Sequence, residues 1–71
     1  MATLIIGGIN HTNHHMIKNI AGEAGYAASV RLVDECTRKI DLFISNEDER
    51  AEVEQMIGQY VMAGFETKII E

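Results

Sequence analysis

Apolar residues recur along the chain with two different periods, and the switch between them happens twice. Thr3-Leu4-Ile5-Ile6 is an apolar run ended by Gly7-Gly8, the pattern of a strand buried inside a sheet. Ile17, Ile20, Ala21 and Ala24 then fall at i, i+3, i+4 and i+7, one face of a helix. His15, Lys18, Asn19 and Glu23 take the opposite side. Thr12 or Asn13 is placed as N-cap, and Gly25 as the left-handed residue after the helix end. Tyr26 to Val33 reads as a second strand, with Ala28, Val30 and Leu32 on one face and Ser29, Arg31 and Val33 on the other. Asp34-Glu35-Cys36-Thr37 is the expected hairpin turn. In the third strand, Lys39 to Ile44, alternation turns Ile40, Leu42 and Ile44 inward and Asp41 and Phe43 outward.

The second helix begins at Asn46, three residues before Glu49, a pair close to the capping-box pattern. Glu47, Asp48 and Glu49 crowd its first turn, where the helix dipole favours negative charge. Val53, Met56, Ile57, Tyr60, Val61 and Gly64 make its apolar stripe, and Glu66 to Ile70 is the closing strand. Each helix ends in the same way, with Ala24-Gly25-Tyr26 in one half and Ala63-Gly64-Phe65 in the other.

Strand-helix-strand, twice over, predicts an α+β fold: a ferredoxin-like βαββαβ two-layer sandwich. Its four-stranded antiparallel sheet should carry both helices on one face. Residues 1–71 are expected to form one domain. The expected core sets Ile17, Ile20, Met56, Ile57 and Val61 against Leu4 or Ile6, Val30, Leu32, Ile40, Leu42 and Ile44. The far face of the sheet is then open, and Phe43, Arg31 and Val33 are expected on it. Such a face is a candidate for partner binding or for a homodimer, although scattered apolar residues need no partner.

Charge narrows the function classes. Lys and Arg number 6 and Asp and Glu 11, a net charge of −5. So few cations argue against direct nucleic-acid binding and for a protein partner with a basic surface. The cluster Glu47, Asp48, Glu49, Glu52 and Glu54 is either a solvated helix face or the contact for a basic groove. Glu47, Asp48, Glu49 and Glu52, with Phe43 and Arg31, form the candidate partner surface. The one cysteine, Cys36, has no internal disulfide partner, which favours the reducing cytoplasm, and in its turn it is expected to be inert. No apolar run has the length of a membrane span, and no secretory signal pattern is present. A chain this short leaves little room for a substrate pocket, so no enzymatic activity is expected.

Gly8-Ile9-Asn10-His11-Thr12-Asn13-His14-His15 is the one stretch that invites a chemical reading. Imidazole is a good ligand for zinc, nickel or copper(II), and His11, His14 and His15 lie where a loop meets a helix. The alternative is that all three are polar surface residues. The stretch resembles the G-M-x-C-x-x-C motif of heavy-metal-associated domains, with histidine at both cysteine positions. Met62-Ala63-Gly64-Phe65 is similar to that family's closing pattern. The resemblance implies a βαββαβ metal-binding domain, here for a borderline ion. Separately, Ala27 to Glu71 resembles the small podophage inhibitors of host RNA polymerase through Gln59-Tyr60-Val61-Met62-Ala63-Gly64-Phe65-Glu66, while Ile69, Ile70 and Glu71 stand where those proteins carry basic residues.

The expected function is therefore a small acidic, non-enzymatic protein-interaction module. Its most concrete form is a phage-type inhibitor that binds and occludes a host nucleic-acid enzyme, such as RNA polymerase or a CRISPR effector. A metal-binding domain using histidine in place of cysteine is the alternative. A ligand-binding regulatory dimer is the third.

Overall fold

The computed structural model describes residues 2–71. In chain order the elements are β1 (Ala2–Gly7), α1 (His14–Glu23), a 3-10 turn (Ala27–Ser29), β2 (Val30–Asp34), β3 (Thr37–Leu42), α2 (Glu47–Met62) and β4 (Glu66–Ile70). The strands form one antiparallel sheet in the order β2-β3-β1-β4. The fold is α+β, a four-stranded antiparallel sheet with two helices.

Alternation in the two central strands sets the layers. Leu4 lies directly across from Ile40, and with Ile6 and Leu42 it turns into the core. Ile17 and Ala21 of α1 and Val53, Met56 and Tyr60 of α2 pack into the same cluster, completed by Ile9 and Phe65. Each fully buried side chain of Leu or Ile size contributes about 1.5–3 kcal/mol relative to exposure. Both helices close as the sequence predicts. Gly25 and Gly64 take φ of +81° and +94°, and the next residue's N–H returns to the last turn. Tyr26 donates to the Ala21 carbonyl at 2.8 Å and Phe65 to the Tyr60 carbonyl at 3.0 Å, the same Schellman closure in each half.

Four expectations need correction. The second strand is shorter than Tyr26 to Val33, because Ala27–Ser29 is a 3-10 turn and Ala28 is exposed rather than part of a strand face. That turn continues the helix closure, with the Ser29 N–H donating to the Tyr26 carbonyl at 2.9 Å. β3 starts earlier, at Thr37, and ends at Leu42, so Phe43 and Ile44 lie beyond the strand. Val61 is 55% exposed, since Tyr60, one residue back and so 100° around the helix, takes the inward position. Leu32 is 68% exposed although it shares the core-side parity, because β2 is a sheet edge. Ile20, Ile57, Val30 and Ile44 are half-buried at the margin of the core.

Candidate functional site

β1 and β2 run in the same direction on either side of β3, so their C-terminal ends share one end of the molecule. The loop after β1 and the β2–β3 hairpin therefore meet. Ile9 anchors the meeting: its side chain is buried and its N–H donates to the Cys36 carbonyl at 3.0 Å. The loop is held by its own asparagines. Asn10 Oδ1 accepts from the Thr12 N–H at 2.9 Å, and Asn13 Oδ1 accepts from the Asn10 N–H at 2.8 Å. Asn13 is the N-cap of α1, but its side chain is spent on the loop and makes no cap bond.

This brings His11 and His14 to one cleft of about 480 Å³, shared with Ile9, Asn10, Leu32, Glu35, Cys36 and Arg38. His14 Nδ1 lies 3.0 Å from the His11 carbonyl oxygen. A carbonyl only accepts, so this bond holds a proton on Nδ1, and Nε2 is the nitrogen left to present a lone pair in the neutral ring. His15 does not line this cleft; its exposed ring packs edge-on against His14, with centroids 5.9 Å apart. Among the described residues, no group of three or more His, Cys, Asp or Glu side chains is arranged to hold a metal ion. The Arg38 guanidinium is occupied in closing the hairpin, donating to the Asp34 and Thr37 carbonyls at 2.8 and 3.2 Å. Cys36 is exposed, and its N–H donates to Asp34 Oδ1 at 2.8 Å. No local motif pairs Cys36 with the histidines; the parallel course of β1 and β2 in a strand-helix-strand unit is the signal that gives it.

The opposite end carries most of the candidate partner surface. Asn46 caps α2, its Oδ1 accepting from the Glu49 N–H at 2.9 Å. Glu49 reaches back one residue further than in the usual capping box, accepting from the Ser45 N–H at 2.9 Å and from the Ser45 hydroxyl. The Ser45 hydroxyl and then its N–H hold the Glu49 carboxyl below the usual glutamate range. Phe43 is fixed by a single hydroxyl: its N–H donates to Tyr26 Oη at 3.1 Å, and the Tyr26 O–H donates to its carbonyl at 3.3 Å. Its ring is 57% exposed and lines a cleft of about 250 Å³ with Ala24, Gly25, Tyr26, Ser29, Glu49 and Glu52.

Of the sequence-predicted partner residues, the fold thus gathers Phe43, Glu49 and Glu52. Glu47 and Asp48 are exposed on the same first turn but do not line the cleft. Arg31 stands apart, on the far face of the sheet, 3.9 Å from Asp41 in the one ion pair among the described residues. Phe43 belongs to this end of the molecule rather than to the open sheet face, because β3 stops one residue before it. Among the described residues no helix is long and apolar enough to cross a membrane. No protein-family model, curated protein or solved structure matches the chain.

Proposed function

We propose that this chain is a non-enzymatic, cytoplasmic protein-interaction module that takes a partner with a basic surface at the Phe43 end of the fold. The observation that carries this reading is Phe43 itself. Its backbone is tied on both sides by Tyr26 while its ring stands in solvent beside Glu49 and Glu52. A pre-positioned aromatic ringed by carboxylates has the makeup of an interface hot spot for a cationic partner. In its most concrete form the module is a phage-type inhibitor, whose α2 carboxylates stand in for phosphates in the basic groove of a host RNA polymerase or CRISPR effector. The strand order β2-β3-β1-β4, with a helix after β1 and another after β3, supports placing the fold in the ferredoxin-like class.

The test is capture of the partner on immobilised protein, followed by binding kinetics for wild type, Phe43→Ser and Glu49→Lys/Glu52→Lys. The reading expects Phe43→Ser to speed dissociation and the double variant to slow association, the latter effect fading in high salt. Unchanged binding by both variants overturns it.

A second reading has one observation in its favour. His11 and His14 line one cleft, and His14 presents Nε2 while Nδ1 donates to a carbonyl, the outer hydrogen bond common to metal-ligating histidines. Zinc, nickel or copper(II) would then raise the melting temperature, and His11→Ala would abolish the shift. Absence of a shift at metal excess over protein removes this reading.

A further inference from the structure

The open face of the sheet has its own charge pattern. Arg31 lies directly across from Lys39, Lys39 across from Ile5, and Ile5 across from Lys68. Arg31, Lys39, Ile5 and Lys68 therefore form one row over all four strands, with the parity opposite to core-facing Leu4 and Ile40. At about 4.8 Å between strands the row spans about 14 Å. Three of the chain's 6 cations stand in it, and no carboxylate does. Like charges directly opposite each other destabilise a sheet, so Arg31 against Lys39 is an unfavourable pair left as it stands. Asp41, in the adjacent row, relieves Arg31 at 3.9 Å, whereas Lys39 is half-buried without an ion pair and Lys68 is exposed without one. A cationic row through the middle of an uncovered sheet face suits an anionic occupant.

The opposite side of the molecule has the complementary charge. Glu47, Asp48, Ala51, Glu54, Gln55, Gly58 and Met62 are all exposed, and 100° per residue puts them on the side of α2 away from Val53, Met56 and Tyr60. On the open sheet face Asp41 and Glu66 flank the cationic row, one on each side, so the cations are concentrated in the row itself, while acids dominate the outer face of α2. We propose that the open sheet face receives the outward acidic face of α2 from a second copy of this chain, head to tail. A two-fold pairing of open faces is disfavoured, because a dyad along the row lays each cation over its own copy and a dyad along the strands lays Arg31 over Lys68. A nucleic-acid strand is disfavoured too, since no aromatic ring lies in the row for bases to stack on. Head-to-tail contacts leave one sheet face and one helix face unused at the ends, so assembly grows with concentration instead of stopping at two. This inference shares Glu47 and Asp48 with the acidic start of α2 but does not rest on the proposed partner, because it also needs Glu54 and the sheet lysines, which lie outside the Phe43 cleft.

Sedimentation of the chain at increasing concentration tests it, at about 0.1 M and about 1 M salt, where the Debye length is about 10 Å and about 3 Å. At the lower salt the mass should rise above 7.9 kDa with concentration, and at the higher salt it should return to that value. Lys39→Glu/Lys68→Glu removes the sheet face and Glu47→Lys/Glu54→Lys the helix face, each weakening self-association by about tenfold or more. Mixed in equal amounts, the two variants should regain the growth that each alone has lost, since each retains the face the other has lost and the two reversed faces complement each other in turn. If circular dichroism shows either double variant unfolded, Lys68→Glu and Glu54→Lys at exposed positions replace them. A wild-type mass of 7.9 kDa throughout, salt-independent growth, or a mixture that fails to pair overturns the proposal.

Discussion

The Tyr60 hydroxyl donates a 2.7 Å hydrogen bond to the Ile17 carbonyl, joining α2 to α1 inside the core. Neither the hydroxyl nor the ring is accessible, and the ring meets Phe65 edge to face at 6.0 Å between centroids. Burial pushes the Tyr60 phenol up to about 12. Because the folded-state value lies above the ordinary value of 10.0, its contribution is complete below pH 10 and is lost as pH rises towards 12. Stability should fall by about 1–2 kcal/mol across that window from this group, a figure discounted for partial screening. Tyr60→Phe should cost about 0.5–1.5 kcal/mol at neutral pH and flatten the alkaline decline. Urea denaturation at several alkaline pH values measures both.

The start of α2 depends on two side chains acting in opposite directions along the chain. Asn46→Ala removes the cap on the Glu49 N–H and should cost about 1 kcal/mol. Glu49 titrates below its ordinary value of 4.5, so its contribution is present above that pH and lost as pH falls through the depressed folded value. Glu49→Gln should remove that part of the acid dependence while leaving the Asn46 cap in place. Thermal melts from neutral to acid pH check the sign. A steeper acid decline in the variant would contradict the Ser45 contacts.

Core register separates two positions of the apolar stripe of α2. Met56 is 2% exposed, so Met56→Ala should cost about 2–5 kcal/mol through lost transfer energy and a residual cavity. Val61, at 55% exposed, should lose no more than about 0.5 kcal/mol on truncation to alanine. Half-buried Ile57 should fall between them. Equal losses at Met56 and Val61 would place the helix in a different rotation on the sheet.

These positions also show how far the sequence could be read. Periodicity gave α1, β4 and the inward residues Ile40 and Leu42, because those patterns follow from backbone geometry alone. The Asn46 cap and the two Ala-Gly-aromatic closures were legible for the same reason: each is satisfied within a few residues of chain. What failed depended on the third dimension. Ile9 is buried because the β2–β3 hairpin arrives over it, which no local pattern encodes. Leu32 keeps strand parity yet stays exposed because β2 is an edge. Alternation puts Phe43 on the open sheet face, but the strand ends one residue earlier and Tyr26 clamps the chain there. The candidate surface was accordingly half legible: Glu49 and Glu52 from charge, their meeting with Phe43 only from the fold. The cationic row was hidden because it joins residues of four strands whose register the sequence does not specify.

Gly58 within α2 and Gly64 just beyond its end should respond to alanine with opposite signs. Gly58 lies within the helix, lacks a positive φ, and has open space where a Cβ would go. Nothing inside the fold requires glycine there, so Gly58→Ala should stabilise the chain by about 0.5–1 kcal/mol through helix propensity and a less flexible unfolded state. Gly64 also has room for a Cβ, but its φ of +94° is a conformation that L side chains resist. Gly64→Ala should cost about 1–2 kcal/mol. That loss would weaken the turn that returns the Phe65 N–H to the Tyr60 carbonyl and leads into β4. Space is the same at both sites, so the difference isolates backbone conformation. Equilibrium unfolding of the two single variants decides it, and a destabilised Gly58→Ala would show that this exposed helix face is not free in solution.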